Sequence, residues 1–175
     1  GATLRSIDRR SKYLLFDFGV EHLLVHLGMS GQLFVGPRGA GWLKHEHWRI
    51  GFGELVLRYR DPRRFGLVVH VPTSGLLDHR LLSDLGPEPL AGWSADDLIA
   101  SGGGVKQAIK PFLMDSRRVV GVGNIYATEA CFAAGIHPGR AAGRISGLRM
   151  RGLHREVVSV LEAALRAGGT TLKDF

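Results

Sequence analysis

The sequence is poor in cysteine and contains no long hydrophobic run. It has one cysteine, Cys131, so it can form no internal disulfide and no cysteine-based metal centre. No apolar stretch approaches the roughly 20 residues that a membrane-spanning helix needs. The opening residues, GATLRSIDRRSKYLL, lack the apolar core of a secretory signal. We therefore expect a cytoplasmic protein in which Cys131, at an apolar helical position, is buried filler.

Acidic residues are also scarce relative to basic ones. The 175 residues carry 23 Lys and Arg against 16 Asp and Glu, a formal net charge of +7. The excess lies in two blocks, +5 over residues 1–66 and +6 over 101–175, separated by a balance of −4 over 67–100. Two basic lobes around an acidic connector favour a polyanionic partner that lies between them. A chance excess of solvated arginine is the alternative.

The first basic block has the pattern of a sheet. Three segments rich in Leu, Val, Phe and Tyr partly alternate in polarity and are separated by glycines, as short strands are: KYLLFDF (12–18), HLLVHLGMSGQLFV (22–35) and ELVLRYRD (54–61). The segment GPRGAGW (36–42) has the composition of a flexible loop. We expect a β domain over residues 1–72 and an acidic linker over 73–93.

From Ser94 onward the pattern is helical. Ser94 is placed to cap a short helix, because its hydroxyl can accept from first-turn amides. Gly168 and Gly169 predict the left-handed end of a later helix. One face of that helix has apolar residues at spacings of three and four: Leu153, Val157, Val160, Leu161, Ala164 and Leu165. Residues 94–175 are therefore predicted to form a helical domain.

The stretch VVGVGNIYATEACFAAG, residues 119–135, has the glycines of a phosphate-binding turn. It lacks the third glycine of a dinucleotide fingerprint and the Gly-Lys-Ser/Thr of a nucleoside triphosphate site, so a nucleotide cofactor is not expected. Gly121 and Gly123 permit a tight turn, Asn124 can cap the helix that follows, and Gly135 can end it. Free amides at such a helix start bind a phosphate diester well. Asn124 serves as a cap, as a phosphate contact or as both.

Several motifs resemble the formamidopyrimidine-DNA glycosylase (Fpg, MutM) family. The segment IKPFLMDSRRVVGVGNIYATEACFAAGIHPGRAA is similar to the family's helix-two-turn-helix. RRSKYLL, HLGMSGQL, KHEH, YRDPRRFG, LGPEPL and GGTTLKDF resemble the family in the same order. The resemblance implies a mixed α and β fold, with a partial β-sandwich N-terminal lobe and a helical helix-two-turn-helix C-terminal lobe.

The function that the resemblance implies is base excision repair in the bacterial cytoplasm, at the nucleoid. The family excises oxidised purines, 8-oxoguanine and formamidopyrimidines, from double-stranded DNA and then cleaves the backbone as an abasic-site lyase. Relatives of the endonuclease VIII type, which act on oxidised pyrimidines, are less similar at HLGMSG and DPRRFG, so the purine branch is favoured. No membrane and no nucleotide cofactor are implied.

The resemblance also assigns roles to individual residues. Met29, Arg63 and Phe65 match residues that fill the gap left when a nucleotide is flipped out of the duplex. Without the motif context, Met29 and Phe65 would be interpreted as core residues. The matches to phosphate-binding residues are Lys12, which supports catalysis beside the lesion, His45 and His47 in KHEH, Lys110 and Asn124. His45 and His47 have no further ligand nearby, so a metal site is not expected.

Two parts of the family pattern have no match in these residues. The resemblance places the nucleophile on an N-terminal proline followed by a glutamate, whereas this chain begins Gly1-Ala2-Thr3. GGTTLKDF lies where the family continues toward a four-cysteine zinc finger. We therefore expect this chain to bind DNA without catalysing excision and to hold no cofactor. A non-enzymatic protein that binds damaged DNA is the alternative.

Overall fold

The computed structural model describes residues 1–169, which form seven β-strands, four α-helices and two short 3-10 helices. Two compact units divide the chain, Gly1–Leu82 and Ser83–Phe175. The strands lie in the first unit and the α-helices in the second. The predicted mixed fold, with β structure in the N-terminal part and helices in the C-terminal part, is confirmed.

The first unit contains two antiparallel sheets. One has the strand order β1-β2-β3-β7 and the other β4-β6-β5. The strands are β1 (Ser6–Arg10), β2 (Tyr13–Asp17), β3 (Glu21–His26), β4 (Gln32–Pro37), β5 (Glu46–Phe52), β6 (Leu55–Arg60) and β7 (Leu67–Pro72). The two sheets are joined twice in the chain, by residues 27–31 between β3 and β4 and by residues 61–66 between β6 and β7. Both connections begin and end at strands of different sheets.

Strands β1, β5 and β7 were not identified from the sequence pattern. In β5 the alternation is hidden because two of its charged residues, Glu46 and Arg49, point into an ion pair rather than into water. Arg58 of the neighbouring β6 completes that ion pair and is itself buried. Charged residues in a strand are usually exposed to solvent, so the sequence pattern assigns them to the exposed face. A buried ion pair therefore removes the alternation of polar and apolar residues by which a strand is recognised.

The segment predicted as a flexible loop, residues 36–42, is partly a strand. Gly36 and Pro37 belong to β4. The remainder is tied down by guanidinium groups: Arg49 donates to the carbonyls of Ala40 and Gly41, both at 2.7 Å, and Arg58 donates to Gly41 at 2.6 Å. The glycine content predicted a flexible backbone, but these long-range hydrogen bonds from Arg49 and Arg58 hold it in place.

The second unit is built on four helices: α1 (Ala95–Gly102), α2 (Ile109–Met114), α3 (Asn124–Ala133) and α4 (Gly147–Arg166). The predicted cap of α1 is confirmed, because Ser94 and Asp97 form a reciprocal capping box. Helix α2, two turns over residues 115–123 and helix α3 make the helix-two-turn-helix. Val119 and Val122 in these turns belong to the helical core, and Val120 is also buried.

Apolar residues from all four helices form one core. Phe112, Leu113, Leu98 and Leu153 lie at its centre and are fully buried. Cys131 belongs to the same cluster, as expected, and burial raises the pKa of its thiol. The predicted apolar face of α4 is buried at Leu153 and Val157, but Leu165 is 67 % exposed, so the buried face ends before the helix does.

The structure shows the contacts of residues 83–93, at the end of the predicted linker, and the backbone conformation at the end of α4. Within residues 83–93, Gly86 donates to the Ser116 carbonyl, Pro87 accepts from Val120 and Trp93 joins the helical core. Gly168 and Gly169 have φ of +74° and +106°, which confirms the left-handed end of α4. The other residues of GGTTLKDF lie outside the described residues. Among residues 1–169, no helix has the length and apolarity to cross a bilayer.

Candidate nucleic-acid interface

Two loops of the sheet unit touch at their backbones. Gly28, in the 27–31 loop, has φ +64°, and a Cβ built on it would lie 2.6 Å from the carbonyl carbon of Phe65 in the 61–66 loop. The Gly28 amide also donates to Nδ1 of His26 at 3.0 Å. Only a residue without a side chain permits this conformation and this approach together. The contact brings the HLGMSG and DPRRFG motifs to one place.

Each of these loops presents a large apolar side chain to solvent. Met29 is 70 % exposed and Phe65 is 61 % exposed. The Arg63 guanidinium carbon lies 5.6 Å from the centre of the Phe65 ring, within the range of a cation–π contact. The interpretation of Met29 and Phe65 as core residues is wrong. Two apolar side chains and a guanidinium on adjoining loops form a protruding patch, which we call the wedge (Met29, Arg63 and Phe65).

Beneath the wedge lies a fully buried carboxylate, Asp61, which sequence reasoning missed. Its Oδ1 accepts from Ser30 Oγ at 2.5 Å and from the Arg63 amide at 3.3 Å. Its Oδ2 accepts from Tyr59 Oη at 3.0 Å and from the Gly66 amide at 2.9 Å. Burial alone would raise the pKa of Asp61, but these hydrogen bonds outweigh it and hold the pKa well below its usual range.

The pKa of Tyr59, which donates to Asp61, is shifted upward, whereas that of Asp61 is lowered. Burial, followed by the hydrogen bond to the Asp61 carboxylate and its negative charge, raises the pKa of Tyr59 to about 12. The ring of Tyr59 stacks on Trp48 of β5, with centroids 5.0 Å apart and planes 14° apart. The phenol therefore stays protonated near neutral pH and remains a donor to Asp61.

A second buried carboxylate, Glu46, holds the loop over residues 38–45. Its Oε2 accepts from Arg58 at 2.7 Å and from the Leu43 amide at 2.9 Å, and Arg49 donates to both of its oxygens. Hydrogen bonds from Arg58 and then Arg49 hold the pKa of Glu46 well below its ordinary value, against the effect of burial. None of the wedge residues contacts Glu46 through these bonds.

The two carboxylates predict acid sensitivity of the sheet unit. Both have a lower pKa in the folded state than in the unfolded state, so the unfolded state binds more protons as pH falls. The stability that they contribute is present above about pH 4 and is lost as pH falls below that value through the folded-state pKa. We expect the urea midpoint to fall steeply below about pH 4. Urea unfolding at a series of pH values would measure it, with Glu46→Gln giving a shallower dependence; a midpoint constant down to about pH 3 contradicts the assignment.

Lys12 lies beside a histidine that sequence reasoning also missed. Lys12 follows Ser11 in the turn between β1 and β2, and the register places Tyr13 opposite His26, their rings 5.1 Å apart. Lys12 is exposed as a residue, yet partial desolvation of its ammonium lowers its pKa. Desolvation and the Lys12 charge lower the pKa of His26. Because Nδ1 of His26 accepts from Gly28, its Nε2 carries the proton, so Lys12 and His26 form a pair of donors suited to an anion.

The two KHEH histidines have different surroundings. His45 is exposed, with φ +67°, in the turn directly before β5. His47 is partly buried, and its Nε2 lies 2.8 Å from the carbonyl oxygen of Asp61. Its ring centre is 6.3 Å from that of Tyr59. Nε2–H of His47 donates to this carbonyl and thus holds the 61–66 loop, so Nδ1 of the neutral ring is an acceptor rather than a donor to an anion.

In the helical unit, Asn124 is not the N-cap of α3. Gly123 takes the extended cap conformation, with φ −100° and ψ −176°, and Asn124 is the first helical residue with an exposed side chain. No side-chain hydrogen bond caps this helix, so the capping interpretation is wrong. Lys110, partly exposed, is the second residue of α2, and its amide donates to the Pro138 carbonyl at 3.1 Å. The Lys110 charge acts on the Cys131 thiol of α3, so the two helices are close at this point.

The fold and these side chains define a helix-two-turn-helix protein with a β unit. Residues 85–175 match the model of the formamidopyrimidine-DNA glycosylase H2TH domain, and residues 1–68 match that of the formamidopyrimidine-DNA glycosylase N-terminal domain. The chain belongs to the formamidopyrimidine-DNA glycosylase family, as the motifs predicted.

Similar proteins agree with the family models. The formamidopyrimidine-DNA glycosylases of Idiomarina loihiensis and Pseudomonas putida are each 50 % identical over 177 residues, which cover 100 % of this chain and 65 % of each relative. A Lactococcus lactis Fpg in complex with abasic-site DNA superposes with a TM-score of 0.93 at 30 % identity, over 99 % of this chain and 65 % of that one. Another, with DNA that contains Fapy-dG, gives 0.93 at 31 %. The chain thus spans about two thirds of the length of its relatives.

The zinc that the family resemblance implies does not fit the residues present. A four-cysteine site needs four thiolates, whereas the sequence has Cys131 alone, buried in the helical core. Within residues 1–169 there is no group of three or more His, Cys, Asp or Glu that could hold a metal ion.

Proposed function

We propose that this chain is the DNA-gripping part of a formamidopyrimidine-DNA glycosylase that excises oxidised purines in base excision repair and cleaves the backbone at the resulting abasic site. The observation that carries the proposal is the exposed wedge, Met29, Arg63 and Phe65, on two loops whose backbones touch. The family membership and the Fpg–DNA complexes among the similar structures support it.

The wedge has the chemistry needed to replace a base. A nucleotide pulled out of a duplex leaves a gap whose neighbours have lost their stacking partners. Apolar side chains such as Met29 and Phe65 restore that contact when they enter the stack. Arg63, held over Phe65, offers paired donors to the edge of the orphaned base. Exposing two such apolar residues is unfavourable in water, which is consistent with their insertion into DNA.

Phosphate contacts complete the grip. Lys12 and the Nε2–H of His26 are two donors that can share one phosphate next to the flipped nucleotide. In the other unit, the amides at the start of α3, a helix of 10 residues, and the exposed Asn124 side chain suit a second phosphate. The overall charge of +7 adds a long-range attraction to DNA.

The chemistry is assigned to the whole protein rather than to these residues. The family resemblance assigns attack on the sugar to an N-terminal proline and proton transfer to the glutamate that follows it. Gly1 and Ala2 do not match that pair. We expect the 175-residue chain to bind lesion DNA and to give no covalent band when it is reduced with borohydride on an abasic-site duplex. A trapped band would show that another amine of this chain reaches the sugar.

Binding to labelled duplexes tests the proposal directly. Fluorescence anisotropy would compare an intact duplex with one that contains a stable abasic-site analogue, over a series of salt concentrations. We expect about tenfold tighter binding to the abasic duplex, because the gap removes much of the few kcal/mol that unstacking costs. Met29→Ala and Phe65→Ala should reduce this preference. Lys12→Gln should weaken both duplexes alike and reduce the salt slope by about 1.

The control is a variant with the same kind of change away from the wedge. Leu77 is an apolar residue of the same unit with 81 % exposure, and Leu77→Ala should leave both affinities unchanged. Equal affinity of the unsubstituted chain for the two duplexes would contradict a role in lesion recognition and leave salt-driven binding to DNA. No binding even at low salt would contradict the DNA-binding function itself.

A further inference from the structure

We propose that Asp61 is a positioning residue that sets the wedge loops relative to one another and thereby determines the preference for lesion DNA. The proposal rests on the proposed function, since it assigns a cause to the discrimination expected there. Asp61 contacts no wedge side chain that would touch DNA. Its carboxylate instead binds the backbone and side-chain groups that hold those residues in place.

Every wedge residue is next to a contact of Asp61. Ser30, which donates to Oδ1 at 2.5 Å, follows Met29 directly. The amide that donates to Oδ1 at 3.3 Å is that of Arg63 itself. The amide that donates to Oδ2 at 2.9 Å belongs to Gly66, which follows Phe65. The 27–31 and 61–66 loops are thus bonded to one carboxylate, which holds the backbone next to Met29 relative to the backbone next to Phe65.

The fourth donor connects the carboxylate to the sheet. Tyr59 is buried in β6, stacks on Trp48 and donates to Oδ2 at 3.0 Å. Because β6 is the central strand of its sheet, Tyr59 ties the loops to the most constrained strand of that sheet. His47 of the edge strand β5 adds a contact with the Asp61 carbonyl oxygen at 2.8 Å. Both the side chain and the backbone of Asp61 are therefore held from the sheet side.

Only an ionised carboxylate can satisfy this arrangement. The four groups around Asp61 are all donors, and a carboxylate is an acceptor with four lone-pair sites and no hydrogen. Asparagine has the same shape but presents one oxygen and one NH2 group. In either orientation the NH2 group faces a backbone amide, Arg63 on one side or Gly66 on the other, and neither amide can turn to accept. Asp61→Asn thus leaves at least one buried donor without a partner and pushes one loop away.

The other buried carboxylate of this unit provides a matched comparison. Glu46 is also enclosed and also accepts several hydrogen bonds, but its partners are Arg49, Arg58 and the Leu43 amide. It holds residues 38–45, where His45 lies, and it makes none of the wedge contacts. Glu46→Gln therefore reproduces the loss of a buried carboxylate while all four donors to the Asp61 carboxylate stay in place, and it also keeps the hydrogen bond of 2.9 Å from the Asp61 amide to the His45 carbonyl.

The test compares the two variants in binding and in stability. For the unsubstituted chain, Asp61→Asn and Glu46→Gln, anisotropy gives the ratio of affinities for the abasic-analogue and intact duplexes, together with the salt slope. Urea unfolding at neutral pH verifies that each variant is folded. We expect Asp61→Asn to reduce the affinity ratio by about tenfold, the effect of one unsatisfied buried donor, with the salt slope unchanged. Glu46→Gln should keep the ratio.

Two milder variants serve if Asp61→Asn does not fold. Ser30→Ala removes the tie to the Met29 loop, and Tyr59→Phe removes the tie to β6, while both keep the carboxylate. Each should fold and lower the ratio, by less than Asp61→Asn would. A ratio preserved in both overturns the proposal.

The remaining outcomes separate this proposal from the function on which it rests. An unchanged ratio in folded Asp61→Asn overturns the positioning role alone. An equal fall in Glu46→Gln also overturns it, because the effect is then general destabilisation. Equal affinity of the unsubstituted chain for both duplexes overturns the proposed function and this proposal with it.

Discussion

Replacing Gly28 with alanine is expected to destabilise the sheet unit and to remove the preference for abasic-site DNA. At φ +64° an alanine is strained, and its Cβ would lie 2.6 Å from the carbonyl carbon of Phe65 and 2.7 Å from the Gly66 amide nitrogen. Backbone atoms cannot rotate out of the way, so the 61–66 loop must shift. Left-handed strain and overpacking together should cost about 2–5 kcal/mol of unfolding free energy.

Gly53 provides the control for that experiment. It has nearly the same conformation, φ +58°, in the turn between β5 and β6, but a Cβ built there has no atom within 4 Å. Gly53→Ala should therefore lower the free energy of unfolding by the conformational strain alone, about 1–2 kcal/mol. It should keep the ratio of affinities for the abasic-analogue and intact duplexes. Urea unfolding and the two-duplex anisotropy assay measure both effects. Equal behaviour of the two variants would show that the contact between the loops has no influence on binding.

Replacing Phe112 with alanine is expected to have the largest effect on the helical unit. Phe112, in α2, is 0 % exposed, lies in the common core and has the Arg118 guanidinium 4.4 Å from its ring centre. Truncation of a buried phenylalanine costs about 3–5 kcal/mol through lost transfer energy and a cavity. That is a large share of the 5–15 kcal/mol that stabilises an ordinary domain. Thermal unfolding followed by helical circular dichroism should show a strongly lowered midpoint.

The matched variant is Phe132→Ala in α3. Phe132 is 87 % exposed, so the same chemical change removes almost no burial. We expect an effect within about 0.5 kcal/mol. A comparable loss of stability in the two variants would mean that the helical core is not centred on Phe112. The helical signal is specific to this unit, because the described α-helices lie between Ala95 and Arg166.

Local features of the sequence were sufficient for several elements. The capping box at Ser94 and the glycines at the end of α4 act through residues within about four positions, and both are found as predicted. The ordered motifs from RRSKYLL to GVGN identified the family. Strand β5 was missed because its Glu46 pairs with Arg58, 12 positions away, and a local pattern holds no information on that partner.

The candidate site shows the same division between near and distant partners. The motif resemblance selected Met29, Arg63 and Phe65, and their roles remain predictions. It did not select Asp61 or His26, because neither side chain has a recognisable pattern by itself. Asp61 accepts a hydrogen bond from Ser30, which is 31 positions away in the chain. The charge of Lys12 acts on His26, which is also distant in the sequence. Asn124 was predicted to be the N-cap of α3, but the cap is Gly123 and Asn124 is the first helical residue. Both residue types are suitable caps, and only the backbone geometry distinguishes them.

By itself, the sequence determined the family, the division into strand-rich and helix-rich parts, the basic character and the residues that match the family's wedge and phosphate contacts. The tertiary structure alone decided that Met29 and Phe65 are exposed, that Gly28 touches the backbone of Phe65 and that Asp61 joins both loops. The register between β4 and β6, with Gln32 opposite Arg60, brings Ser30 to Asp61. Such a register depends on the packing of whole strands, so the physical reason is that long-range contacts are set by the sheet and not by neighbours in the chain.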